Sequence, residues 1–124
     1  MNENTISVTA TASFVETESD TQQNRYIFAY TITIANKGKS AAQLLKRHWI
    51  LTNANGKIEE IHGDGVVGMK PRIKGGESFR YTSSALIETD VGIMQGFYTF
   101  CDDDGVIFNA EIPAFTLSIP RTLH

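Results

Sequence analysis

Three glycines at the spacing Gly63-x-Gly65-x-x-Gly68, followed by Lys70, Arg72 and Lys74 at alternate positions, are the residues of this sequence most suited to chemistry. Glycines so placed let a backbone turn tightly and approach a ligand closely, and successive amides in such a turn form a nest for an anion. When a helix follows, the same spacing holds a pyrophosphate at the helix amino terminus. Here Pro71 and the pair Gly75-Gly76 come too soon for a helix. The string therefore reads first as a structural or partner-docking loop. Its second reading is a phosphate or pyrophosphate site built from Gly63, Gly65, Gly68, Lys70, Arg72 and Lys74. As a docking loop, His62 to Glu77 would offer His62, Asp64 and Val66 to a protein, and Tyr81 or Tyr98 would add a ring from a sheet face.

Other chemistry finds little support. His48 and His62 lie on different elements, and no pair of ligands has the short spacing of a zinc or transition-metal site. Asp102-Asp103-Asp104-Gly105 lacks the alternating ligands and distant glutamate of a calcium loop, and reads as a hairpin turn. No Gly-x-Ser-x-Gly elbow occurs. Glu59 and Glu60 are neighbours on a short strand and point to opposite faces. Cys101 is followed by three aspartates, which disfavour a thiolate. With His48, His62 and His124 as the whole histidine inventory, the expectation is no enzyme, no metal and no cofactor.

The elements that must position these residues read mostly in period two. Ile6, Val8, Ala10, Ala12 and Phe14 alternate with Ser7, Thr9, Thr11 and Ser13, as in a strand with one buried face. Thr17 to Asn24 is a polar loop. Arg25 to Ala35 is a strand carrying Tyr26, Phe28, Tyr30, Ile32 and Ile34 on one face, and Asn36 to Ser40 is a turn. Ala41 to Thr52 fits helical spacing too, but its alternation and the Asn55-Gly56 hairpin signal favour a strand, with Lys57 to Ile61 pairing back. Ser78 to Thr82 is a short strand. Ile93 to Cys101 is a long one broken by Gly96, and a last strand starts at Val106. Pro113 marks an edge or a bulge in it. Seven or eight strands with frequent turns predict an all-β fold, an antiparallel β-sandwich.

The 124 residues are 41% hydrophobic and 20% charged, with net charge −3, which suits one globular domain over 1–124 and excludes a disordered chain. An acidic balance argues against a nucleic-acid partner. No apolar stretch reaches the ~18 residues of a membrane span, so no membrane insertion is expected. Met1-Asn2-Glu3-Asn4 lacks the basic and apolar regions of a secretory signal, and a single cysteine forms no internal disulfide. Those features predict a cytoplasmic location. Exposed sandwich edges would allow a homodimer.

Leu44-Leu45-Lys46-Arg47-His48-Trp49-Ile50-Leu51-Thr52-Asn53-Ala54-Asn55-Gly56, then Glu59-Glu60, His62-Gly63-Asp64-Gly65-Val66-Val67-Gly68, Pro71 and Gly76-Glu77-Ser78-Phe79-Arg80-Tyr81-Thr82-Ser83 resemble the ApaG family, as does Gly92-Ile93-Met94-Gln95-Gly96-Phe97-Tyr98. The resemblance implies a fibronectin type III-like, immunoglobulin-related sandwich. It also implies a protein-interaction role, since similar domains occur in eukaryotic F-box proteins and in a polymerase-delta-interacting protein. In bacteria the family, also called CorD, is linked to cobalt resistance and magnesium efflux, and its gene often neighbours a diadenosine tetraphosphate hydrolase. It brings no catalytic residues with it. The function expected is a non-catalytic binding module for an unidentified protein partner, with binding of a phosphorylated small molecule as the alternative.

Overall fold

A computed structural model describes residues 5–120; the amino-terminal residues read for a secretory signal and His124 lie outside them. Eight strands follow one another as β1 (Ile6–Phe14), β2 (Tyr26–Asn36), β3 (Ala42–Asn53), β4 (Ile58–Asp64), β5 (Arg72–Ile73), β6 (Ser78–Ile87), β7 (Val91–Asp102) and β8 (Ile107–Ser118). All pairings among them are antiparallel. One sheet has the order β1-β2-β6. The other runs β4-β3-β7-β8, with β5 continuing the β4 side of β3. The architecture is the expected sandwich. Two single 3-10 turns, Glu16–Glu18 and Thr21–Gln23, shape the polar segment expected over Thr17–Asn24, the first starting one residue before it.

Alternation dictates the core. Phe28, Tyr30, Ile32 and Ile34 of β2 are buried against Leu44, Trp49 and Leu51 of β3 and Met94, Tyr98 and Phe100 of β7 in one cluster. Three rings meet Trp49 edge to face: Tyr30 at 5.5 Å, Phe115 at 6.0 Å and Tyr98 at 6.3 Å. Such tilted contacts put ring edges on ring faces, which the aromatic quadrupole favours. The ambiguous Ala41–Thr52 segment is a strand, because Leu44, Trp49 and Leu51 face this core. Pro113 turns out to lie in an edge strand and at a bulge: β8 is last in its sheet, and Met94 pairs Phe115 while Gly96 pairs Ile112.

The His62–Glu77 stretch expected as a loop contains the two-residue strand β5, the strand expected over Ile93–Cys101 extends to Val91–Asp102, and the last strand starts at Ile107, one residue after Val106. Two further boundaries differ more. Ser78–Ile87 is longer than the short strand expected. The loop expected from His62 begins only after Asp64, because His62, Gly63 and Asp64 remain in β4, opposite His48, Arg47 and Lys46. Glycine weakens strand propensity in the sequence, but here the absent side chain is what lets β4 pass over Arg47.

Candidate functional site

The glycine loop is an excursion along one edge of β3. The Gly65 amide donates to the Leu45 carbonyl at 2.8 Å, and the Leu44 amide donates to Pro71 at 2.9 Å, so the loop leaves and rejoins that edge within two residues. Between those points Val66 and Met69 exchange both of their backbone hydrogen bonds, 2.8 and 2.9 Å, around Val67 and Gly68. Arg47 ties the loop from below: its Nη1 donates to the Asp64 and Gly65 carbonyls, each at 3.0 Å. A Cβ on Gly63 would stand 2.5 Å from the Arg47 Nη2, so this position admits no side chain while Arg47 stays in place.

The sequence-predicted residues therefore separate. Gly63, Asp64 and Gly65 gather around Arg47, and the Lys70 side chain runs beside Gly65. Three amides that a nest would present, those of Gly65, Val66 and Met69, already donate to carbonyls. Arg72 is held by Asp103 through Nε and Nη2, and Lys74 is exposed after β5, with its amide donating to the Glu77 carboxylate. Three of the residues expected to meet a partner are enclosed. Val66 is 1% exposed and packs in the core, and Tyr81 and Tyr98 are 8% and 0% exposed, their hydroxyls bonded to each other. All three faced the wrong way in the sequence reading because loop position and aromaticity do not reveal which face a neighbouring sheet covers. His62 is exposed on the outer face, its ring 4.6 Å from His48, which stacks on Phe97 at 4.8 Å and meets Glu60 at 3.3 Å. Among the described residues, no three of His, Cys, Asp and Glu come together as a metal site would require.

A second place was missed by the sequence reading. β1 lies along β8 and closes one side of the sandwich. On the other side β4 and β6 end their sheets without pairing, and a cleft of about 630 Å³ lies between them. Its floor is the inner face of β3, Arg47, Trp49 and Leu51, with Met94 of β7. Ile58 (64% exposed), Ile61 (38%) and Leu86 (42%) stand on its rim. One end is tied by a Lys57–Glu88 ion pair at 3.2 Å and by the Ala54 amide donating to Thr89 Oγ1 at 3.0 Å. The other end holds Arg47, beside the hydroxyls of Tyr30, Tyr81 and Tyr98. Burial raises the pKa of all three tyrosines, and the Arg47 charge partly opposes it. The Arg47 guanidinium donates to the Asp64 and Gly65 carbonyls, and among the described residues no carboxylate forms an ion pair with it. The apolar floor with a guanidinium at one end suits apolar groups joined to one anionic group. The signal in the sequence was slight: Arg47 alternates with Trp49 and Leu51, a charge on an otherwise apolar strand face.

The ApaG domain family matches residues 16–102. The chain is 50% identical to Protein ApaG of Aromatoleum aromaticum over 119 residues, covering 96% of this chain and 94% of that one. Protein ApaG of Stenotrophomonas maltophilia is also 50% identical, with the same coverage. A crystal structure of the ApaA protein from Bordetella pertussis superposes with a TM-score of 0.91 at 40% identity, covering 94% of this chain and 95% of that one.

Proposed function

The chain belongs to the ApaG domain family, and from that premise we propose that it is a non-catalytic β-sandwich binding module that mediates protein–protein interaction in the cytoplasm. The observation that carries this reading is the open side of the sandwich. A cleft floored by Trp49, Leu51 and Met94 and rimmed by exposed Ile58, Ile61 and Leu86 leaves apolar surface in water beside unpaired strand edges. Surface of that kind is where a rigid scaffold gains most from a partner. On this reading the family's link to cobalt resistance and magnesium efflux runs through the partner.

The test is capture followed by reconstitution. Tagged full-length protein is expected to enrich a bacterial protein that, once purified, binds it saturably in calorimetry. If every enriched protein fails to bind when purified, the module reading is wrong. An amide NMR titration with pyrophosphate and ATP addresses the alternative. We expect no saturable shifts at Gly63, Gly65 and Gly68, since the Gly65 amide and its neighbours at Val66 and Met69 are engaged within the chain. Shifts confined to those glycines and saturating below about 1 mM would put the phosphorylated ligand first.

A further inference from the structure

The wall of the cleft nearest β6 is formed by Ser83 to Glu88, six consecutive residues. Successive side chains of a strand point to opposite faces. A cavity lined by an unbroken run therefore borders the backbone edge itself, and which backbone groups face it follows from the ladder.

The Val15 amide donates to the Ile27 carbonyl, so odd-numbered residues of β2 direct their backbone groups toward β1. The Asn36 amide donates to Glu77, so even-numbered residues direct theirs toward β6. With Phe28 opposite Ala85 and Tyr30 opposite Ser83, the β6 residues bonded to β2 are Ser83, Ala85 and Ile87. In an antiparallel pair the intervening residues point away. Thr82, Ser84 and Leu86 thus turn their N–H and C=O groups to the open edge. The hydroxyls of Thr31 and Thr82, 2.8 Å apart, fit the close approach of a non-hydrogen-bonded pair.

Proteins protect an open edge with charges, proline or shortness. β4 does so: its seven residues include Glu59, Glu60 and Asp64. β6 does not: ten residues, Ser-Phe-Arg-Tyr-Thr-Ser-Ser-Ala-Leu-Ile, carry Arg80 as their single charge and no proline. Resting on the binding-module reading, we infer that β6 receives an extended segment of a partner protein as an added strand, pairing with Thr82, Ser84 and Leu86. Main-chain bonds supply affinity in this mode, and alternate side chains supply specificity. The side chains that enter the cleft meet the floor positions Arg47, Trp49 and Leu51, spaced two residues apart. The segment therefore carries an Asp or Glu at one end of three inward positions, to meet the guanidinium that lacks a carboxylate, and apolar residues at the other two. A second copy of this chain is disfavoured by charge, since β6 itself offers Arg80 and no acid.

Dodecapeptides selected from a random display library on the immobilised full chain test this. Selected sequences are expected to share an acid-x-apolar-x-apolar pattern, read in either direction, and to shift the amides of Thr82, Ser84 and Leu86 in NMR. Ser84→Pro removes an outward N–H and no bond to β2, as proline at an edge allows. With native circular dichroism retained, it should weaken a synthetic selected peptide at least tenfold. Should that variant misfold, Leu86→Lys, which places a charge on the rim, is expected to give the same loss. Replacing the peptide's acid by its amide should weaken binding several-fold. Binding indifferent to the β6 variant, or shifts confined to the outer face around His48 and His62, would overturn the assignment. So would a dimer in solution that Ser84→Pro dissociates, which would make the occupant a second copy. If no peptide binds but a captured partner does so elsewhere, the edge assignment fails while the module reading survives; if neither binds, both fail.

Discussion

Val67 holds φ at +43° and Gly68 at +78°, so both central residues of the Val66–Met69 turn are left-handed. Two-residue hairpin loops of type I′ demand that geometry, and they favour Asn-Gly because a β-branched side chain crowds the following carbonyl. The left-handed conformation costs an ordinary residue roughly 1–2 kcal/mol. Val67→Asn keeps the turn and relieves the crowding, so it should stabilise the fold by about 1 kcal/mol. The readout is a higher urea midpoint at unchanged slope; an unmoved midpoint would mean that the valine makes compensating contacts at the loop tip. Gly65 is the opposite case. Its φ is +63°, and a Cβ there would lie 2.2 Å from the Met69 carbonyl oxygen. Gly65→Val should cost more than about 2 kcal/mol. A loss of ligand binding in that variant would therefore say nothing of a phosphate site unless its midpoint were unchanged.

At the scale of elements, the short β5 is held by a side chain that the sequence presents as an ordinary turn residue. Asn36 is buried at the end of β2, where its Nδ2 donates to the Ser40 and Ile73 carbonyls, each at 2.9 Å, and its Oδ1 accepts from the Gly38 amide at 3.0 Å. Asn36→Ala leaves three buried or half-buried backbone groups without that partner, and should destabilise by about 2–3 kcal/mol. Because β5 follows directly on the loop, hydrogen exchange at Leu44, whose amide donates to Pro71, should quicken more than exchange in β1. Uniform acceleration everywhere would show that β5 does not open separately. Elements with regular alternation, β1 and β2 above all, were legible in the sequence, since one covered face imposes a period of two. Pro113 was legible because proline lacks a ladder donor. The end of β4 and the length of β6 were not. Gly63 in β4, and Ser83 and Ser84 in β6, carry weak strand propensity, and their place in strands is set by pairing with Arg47, Tyr30 and Ala29.

For the whole molecule, which sheet edges meet depends on pairings between residues far apart in the chain, and no local pattern carries that. β1 reaching β8 closes one side and leaves β4 and β6 apart on the other, so the cleft exists only at this scale. What joins the two sheets at its inner end is a group of hydroxyls: Tyr30 and Tyr81 from one sheet and Tyr98 from the other, with Tyr81 and Tyr98 bonded to each other. Burial is the largest cause raising each of their pKa values above 10.0. A raised value means that the folded state binds the proton more tightly than the unfolded chain does, so stability falls with pH wherever the unfolded tyrosines ionise and the folded ones do not. The contribution is complete below the ordinary value of 10.0 and is lost as pH rises above it through the folded values. The melting temperature should therefore decline with rising slope beyond that pH. Phenolate absorbance from these three residues should appear together with loss of near-ultraviolet circular dichroism, in one transition. Tyr30→Phe, which removes one of the three ionisations, should make the decline shallower. Phenolate from these residues arising before the fold is lost would mean that water reaches them from the cleft in the native state, and the two sheets would then part at their inner end more readily than the packed Trp49 cluster implies.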